Sequence, residues 1–283
     1  MRMKGYQRFL TPKFTPFDPL QLAKETEKIV TREGPEGLER KYVGIYSAPV
    51  YRGIATGYAA GCCLRCVYCW SNWSRDFPEK FGKFYSPREV AQRLFRAAQE
   101  GIRASGWERY RGLKIEKLRL SGCEPTLGKD HMLSVLRFAK DSEYPLFILE
   151  TNGILLGADR DYVRSLTEVK EKLYVRVSFK AATPEGFTKR TGAIGDYYEL
   201  PFKALQWLLD EGIYARAAAM TDLRVMPKEE RQTLIKRLNQ IYPRLGRELE
   251  EEQIDRYDTT VNRLKASIDP EFAKRLEKRI REL

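Results

Sequence analysis

Four cysteines within eight residues, Cys62, Cys63, Cys66 and Cys69, constrain this 283-residue chain more than any other feature. Neighbouring thiols seldom reach disulfide geometry, and a disulfide framework spreads its cysteines along the chain, so this crowding selects metal ligation. Two spacings are nested in the segment. Cys63-x-x-Cys66-x-x-Cys69 has the spacing of a bacterial ferredoxin run but lacks the cysteine and proline that complete one. Cys62-x-x-x-Cys66-x-x-Cys69 offers three soft thiolates from one loop, which suits one face of an iron–sulfur cubane and leaves a metal position open for a substrate or cofactor. Cys63 is then expected to be a small buried neighbour of the cluster. A structural zinc site would need a fourth ligand from Cys63, Cys123 or the single histidine, His131, which reads as a helix-start or surface residue.

Around the cysteines the hydrophobic pattern alternates between strand and helix, and such alternation dictates a parallel sheet. Strands are predicted over residues 51–60, 115–120, 146–150, 173–179 and 213–220, with a sixth within 249–257. Ser86-Pro87-Arg88-Glu89 reads as an N-cap, a first-turn proline and a capping glutamate, opening a helix that should run to about residue 104. Further helices are predicted after Asp130, at 162–169, 200–211 and 228–238, and from 261 onward. Six strands favour a partial (β/α)6 TIM-like barrel within an α/β fold. Residues 51–257 would form it, followed by a C-terminal helical segment, 258–283. Residues 1–50 read as an N-terminal extension with one helix over 20–31, closed by Gly34-Pro35-Glu36-Gly37, and packed as a flap on one barrel edge.

Polar segments fall at the C-terminal ends of these strands: the cysteines after the first, Ser121-Gly122-Cys123-Glu124-Pro125-Thr126 after the second, and Glu150-Thr151-Asn152-Gly153 after the third. Ser178-Phe179-Lys180 and Met220-Thr221-Asp222 follow the fourth and fifth. One cleft would gather all five. The cysteine spacing, with Tyr68 directly before Cys69, and the Gly122-Cys123-Glu124-Pro125 segment resemble the cysteine signature and G-G-E-P segment of the radical S-adenosylmethionine (radical SAM) superfamily. The resemblance spans about residues 51–220. It implies a [4Fe-4S] cluster on Cys62, Cys66 and Cys69, whose open iron is chelated by the methionine amine and carboxylate of S-adenosylmethionine. It further implies that one electron cleaves the sulfonium to methionine and a 5′-deoxyadenosyl radical, which abstracts hydrogen from a substrate. Backbone groups of Gly122, Cys123 and Glu124, and the Glu124 carboxylate, would then hold the cofactor's ammonium, while Tyr68 lies against adenine. Thr151, Asn152, Ser178 and Lys180 would bind ribose hydroxyls or the methionine carboxylate. Cys123 stands where the family has its second glycine.

A narrower resemblance is to glycyl-radical-enzyme activases and the archaeal proteins similar to them, which carry an acidic residue before T-N-G and a D-x-K segment. Here Glu150 keeps the first, but Ser178 replaces the aspartate of the second. No cysteine lies beyond Cys123, so subclasses with a second cluster fit badly. The surviving substrates are a protein, a small molecule or RNA, and the implied partner is a one-electron donor of ferredoxin or flavodoxin type. A non-catalytic electron-transfer or metal-stabilised binding protein would also explain the cysteines, but leaves the other strand-end segments without a role.

The 51 basic and 39 acidic residues give a net charge of +12, compatible with an anionic or nucleic-acid partner. No apolar run reaches the roughly 20 residues a membrane-spanning helix needs, and the basic start Met1-Arg2-Met3-Lys4 is followed by no apolar signal-peptide core. The cytoplasm is the expected location. The aromatic residues Trp70, Trp73, Phe77, Phe81 and Phe84 after the cysteines read as packing, whose functional version would shield a radical from water. Tyr174, Arg176 and Phe179 alternate with strand period and read as sheet residues.

Overall fold

The computed structural model describes residues 5–283, so the basic start lies outside the described residues. Asp18 caps helix α1 (Pro19–Val30) by accepting from the Leu20 and Gln21 amides. The Gly34–Gly37 segment, expected only to end that helix, turns a hairpin: β1 (Thr31–Gly34) pairs antiparallel with β2 (Gly37–Ala48). Gly37 has φ +98°, which a residue with a Cβ would adopt only under strain. Strand β2 also pairs antiparallel with β3 (Ile54–Ala59) and with β4 (Lys83–Tyr85). The stretch read as an extension is therefore continuous with the sheet, and β2 satisfies the backbone edge that β3 would otherwise leave open.

From β3 the sheet continues through β5 (Lys117–Gly122), β6 (Leu146–Thr151), β7 (Leu173–Phe179), β8 (Tyr214–Met220) and β9 (Glu250–Glu252). These six strands are mutually parallel, in that order, and β9 ends the sheet. The partial barrel inferred from the alternation is the architecture observed. Helix α2 (Pro87–Glu100) has both halves of the capping box between Ser86 and Glu89, and stops at Gly101 rather than near residue 104. It is followed by α3 (Lys129–Lys140), α4 (Ile154–Ala158), α5 (Arg160–Ser165), α6 (Pro184–Thr191) and α7 (Leu200–Asp210). The chain closes with α8 (Lys228–Ile241), α9 (Asp258–Ile268) and α10 (Pro270–Glu282). The short helices α4 and α6 were not expected; each is under three turns and shows little periodicity.

Period two splits each parallel strand between two environments. Leu118 and Leu120 of β5, Leu149 of β6, and Val175 and Val177 of β7 join Leu94, Leu136 and Leu205 of the helices in the main core. Burying each such side chain contributes about 1.5–3 kcal/mol before entropy is subtracted. The other face turns into the barrel and carries Arg119, Ser121, Glu150, Arg176 and Ser178, which line a cavity. A closed TIM barrel fills that space with branched apolar side chains; this one does not. A separate small core joins Phe77 of the loop after the cysteines to Phe9, Ala266, Leu276 and Ile280, with Trp73 and Phe81 against it. No described helix is long and apolar enough to cross a membrane.

Candidate active site

The cysteine loop leaves β3 at Ala60 and Gly61 and is pinned on two sides. On one side its Arg65 and Val67 amides donate to the carbonyls of Thr191 and Arg190 at the end of α6, both at 3.0 Å. On the other, Arg75 donates from Nη1 to the Cys66 carbonyl at 2.6 Å, and Arg263 of α9 donates from Nη1 to the Cys69 carbonyl at 2.6 Å. Asp76 lies between these guanidiniums, fully buried, 2.5 Å from Arg75 Nη2 and 2.6 Å from Arg263 Nη2. Burial alone would raise the Asp76 carboxyl, but Arg263 and Arg75 outweigh it and hold the group below its usual range. The trio anchors the loop to the C-terminal helices.

Cys62, Cys66 and Cys69 border a cavity of about 560 Å³ at the C-terminal ends of the parallel strands. Among the described residues, no three His, Cys, Asp or Glu side chains are gathered to hold a single metal ion. The three thiols line this one cavity, and soft thiolate donors suit an iron–sulfur cluster. Burial pushes the Cys66 thiol up to about 12, so its thiolate needs cationic compensation in place. A hydrogen bond from Cys63 lowers Cys62 to about 7. Cys63 is fully buried, with Asn152 Nδ2 3.3 Å from its sulfur and 3.7 Å from that of Cys62. The Tyr68 hydroxyl is buried at the cavity with no hydrogen-bond partner, a polar atom that a bound group would satisfy. Soft donors and an orphaned hydroxyl at one cavity fit a cluster with an organic cofactor beside it.

Of the residues predicted for the cofactor, Tyr68, Gly122, Cys123, Thr151, Asn152, Ser178 and Lys180 all line this cavity. Gly122 sits at φ +100°, and a Cβ there would lie 2.9 Å from the Ala59 amide nitrogen and carbonyl oxygen. That close approach lets the Cys123 and Glu124 amides donate to Ala59 and Gly61, at 3.1 and 3.0 Å. Cys123 itself is tolerated because its own side chain points into the cavity beside Ser74. Lys180 donates to Ser178 Oγ at 2.5 Å, and Ser178 Oγ lies 3.5 Å from Glu252 Oε2, so a carboxylate from β9 reaches the place where Ser178 lacks one.

Glu124 departs from expectation. Its side chain is absent from the cavity lining and fully buried. Oε1 accepts from the Thr126 amide (3.1 Å), the Thr126 hydroxyl (2.6 Å) and the Thr151 hydroxyl (2.7 Å), and Oε2 accepts from the Asn152 amide at 2.8 Å. With its acceptor sites spent on protein donors, the carboxylate braces the end of β6 against the loop after β5 rather than facing a cofactor ammonium. His131 is likewise not a surface residue: it lies in the first turn of α3 but is buried against the Tyr42 hydroxyl (3.1 Å) and the Leu38 carbonyl (2.8 Å), remote from the cavity lining. Of the five loop aromatics, only Trp70 lines the cavity; its ring meets those of Tyr58 and Tyr257 at centroid distances of 5.5 and 6.4 Å.

Deeper in the barrel lies a charged layer of which the sequence reading singled out only Glu150. Arg119 Nη1 is 3.2 Å from Glu150 Oε1, which also accepts from the Tyr51 hydroxyl at 2.6 Å; Ser121 donates to Glu150 Oε2. Arg176, read as an ordinary sheet residue, reaches Glu250 at 2.7 Å and Glu252 at 2.8 Å. Tyr51 and Arg52 hold left-handed backbone at φ +53° and +59°, a conformation costing about 1–2 kcal/mol per residue, which the Tyr51–Glu150 contact helps to offset. Burial opposes ionisation of Glu150, but Arg119 and Arg176 outweigh it and lower the carboxyl below its usual range.

A family model described as the radical SAM superfamily matches residues 58–238. No curated protein matches the chain. Among solved structures, Streptococcus suis SuiB bound to S-adenosylmethionine superposes with a TM-score of 0.52 at 14% identity, covering 78% of this chain and 44% of SuiB. SuiB bound to its precursor peptide SuiA gives a TM-score of 0.53 at 14% identity over 81% of this chain and 44% of that one. A radical SAM methyltransferase from Sphaerobacter thermophilus gives 0.51 at 12% identity, covering 83% of this chain and 68% of the enzyme. The chain thus spans less than half the length of SuiB, and at these identities the likeness is one of fold.

Proposed function

The chain belongs to the radical SAM superfamily, and on that premise we propose that it cleaves S-adenosylmethionine reductively at a [4Fe-4S] cluster held by Cys62, Cys66 and Cys69, for hydrogen abstraction from a substrate. Membership makes it an enzyme of that class, which uses this cluster and cofactor for SAM-dependent radical chemistry. The observation that carries the finer reading is the meeting of three thiols with the polar ends of β5, β6 and β7 around one cavity of about 560 Å³; of the fifth segment only Met220 reaches it, Thr221 and Asp222 lying outside. When bound, the cofactor and reduced cluster supply methionine and a 5′-deoxyadenosyl radical, which becomes 5′-deoxyadenosine on gaining a hydrogen atom.

The chain's own groups bind and orient. The Tyr68 ring offers a face for adenine, and its orphaned hydroxyl a hydrogen bond. Lys180, Ser178 and Asn152 present donors along one wall for the methionine carboxylate and the ribose hydroxyls. Gly122 lets the β5 end pack closely on the Ala59 backbone beside the cysteine loop, and Glu124 fixes Thr151 and Asn152 in register with it. Trp70 at the mouth, beside Tyr58 and Tyr257, excludes water from the reacting atoms. The reductant the reaction requires is proposed to be an acidic one-electron donor of ferredoxin or flavodoxin type, matched to the chain's charge of +12.

Anaerobic reconstitution with iron and sulfide, reduction with dithionite and chromatography of 5′-deoxyadenosine test the reading in wild type and Cys66→Ala. Product from wild type and none from the variant is expected. A fully formed cluster that yields no 5′-deoxyadenosine under any reductant refutes the proposal.

A further inference from the structure

The charged layer lies below the cluster end of the cavity, with Glu252 joining the two: it meets Arg176 at 2.8 Å and Ser178 Oγ at 3.5 Å. The Arg176 backbone lies four residues before Lys180, which directly follows β7, about 13 Å down the strand at about 3.3 Å per residue. Its neighbours alternate in sign across the sheet: Arg119 on β5, Glu150 on β6, Arg176 on β7, and Glu250 and Glu252 on β9. Buried ion pairs stabilise a fold less than apolar filling of the same space. Charges retained around an open cavity are therefore a recognition surface before they are a structural one.

The balance of those charges is specific. The chain carries +12, yet the cavity lining holds as many carboxylates as cationic side chains, Arg75, Arg119, Arg176 and Lys180 being the cations. A phosphate or polyanion would set its charges against Glu150, Glu250 and Glu252 without a surplus of cations to compensate. An apolar ligand would strand the whole layer. A small molecule carrying one ammonium and one carboxylate matches it, because each end finds an opposite charge and the ligand brings no net charge into the site. A residue inside a peptide chain has neither end free.

Resting on the proposed cleavage reaction, we propose that this inner layer binds the zwitterionic head of a free α-amino acid, which is the hydrogen donor: the carboxylate lies between Arg119 and Arg176, and the ammonium against Glu150 and Glu252. Homolysis of one substrate C–H bond gives 5′-deoxyadenosine and an amino-acid-centred radical, with one hydrogen atom moved and no charge transferred. Burial opposes the charge of Glu252, but Arg176 and Lys180 lower its carboxyl, so it is ionised at neutral pH.

The test incubates the reconstituted, reduced enzyme and S-adenosylmethionine with a uniformly deuterated mixture of the L-amino acids, and in parallel with deuterated nucleoside monophosphates. Mass spectrometry of the 5′-deoxyadenosine reads the transfer. Deuterium from the amino acids alone is expected, with the deuterated fraction about tenfold or more lower in Arg176→Gln and Glu150→Gln, each of which loses a charge-assisted contact. Normalising to total 5′-deoxyadenosine removes any effect of the substitutions on cleavage itself. Abundant 5′-deoxyadenosine without deuterium from amino acids, or with deuterium from nucleotides, overturns the inference and leaves the cleavage reaction standing. Absence of 5′-deoxyadenosine overturns the cleavage reading instead. Equilibrium dialysis of the same amino acids against the S-adenosylmethionine-loaded protein then decides the inference: saturable binding supports it and no binding overturns it.

Discussion

Replacing Arg263 by methionine should release the cysteine loop from the C-terminal helices. Arg263 is 2% exposed; it contacts Asp76 Oδ2 through Nε at 3.1 Å and Nη2 at 2.6 Å, and donates to the carbonyls of Cys69, Ser71 and Asn72. Methionine keeps much of the volume, so the loss is one of charge and hydrogen bonds rather than of packing. Breaking a buried ion pair costs about 3–5 kcal/mol; Asp76 retains Arg75 at 2.5 Å, which places the expected cost near 3 kcal/mol. For a chain of this size about 2–4 °C is lost per kcal/mol, so the melting temperature should fall by about 6–12 °C. The metal-free and reconstituted forms should both be scanned, and iron per chain measured. The reconstituted form should lose more, because a cluster binds only the folded loop. A fall below about 2 °C with full iron loading would refute the idea that this ion trio holds the loop.

Glu124→Gln should lower stability by about 1.5–3 kcal/mol, since an amide nitrogen then faces a backbone or hydroxyl donor; an unchanged melting temperature with weakened S-adenosylmethionine binding would mean that Glu124 contacts the cofactor instead. Gly122→Ala should cost about 2 kcal/mol or more, from its φ of +100° and the 2.9 Å approach to Ala59, and an unmoved denaturation midpoint would contradict this. Burial lowers His131 to about 4 from an ordinary value near 6.5. A depressed folded-state value means that its contribution, up to about 3 kcal/mol, is fully present above pH 6.5 and is lost as pH falls toward 4. Denaturation of wild type and His131→Gln across that window should therefore converge at the acid end; parallel curves would remove His131 as the cause.

The rim of the site was legible because it is local: three cysteines in one loop, and short polar segments where hydrophobic runs stop. The fold was legible for a similar reason, since each parallel strand buried against helices reads as an apolar run of its own. Strand β2 escaped notice because its inward positions include Arg40, a fully buried cation that donates to the carbonyls of Leu127 and Glu124 at 2.8 and 3.1 Å. A charge of that kind in a sequence reads as solvent-facing. Glu124 was misassigned because an isolated carboxylate carries no mark of whether ligand or backbone satisfies it. The deep layer was illegible as a site because Arg176 and Glu252 lie 76 residues apart and Glu150 and Arg119 lie 31 apart. A signal was nevertheless present: strands covered on both faces should be almost wholly apolar, so Arg119, Glu150 and Arg176 within such runs mark an interior that is not filled.

The position of β2 also governs the order in which the chamber can be assembled. By pairing antiparallel with β3 it occupies the edge onto which β9 would otherwise close, and Gln253 and Asp255, which follow β9, border the cavity. The contact between Arg263 and Asp76 spans 187 residues. During synthesis the cysteine loop and all six parallel strands emerge before the segment that locks them, and non-local contacts of this separation are made late. Until then the loop lacks its Arg263 contacts at the carbonyls of Cys69, Ser71 and Asn72. The cysteine loop is therefore completed only after the last strand has been made, and its final geometry depends on α9 docking against Asp76 and the Cys69 carbonyl.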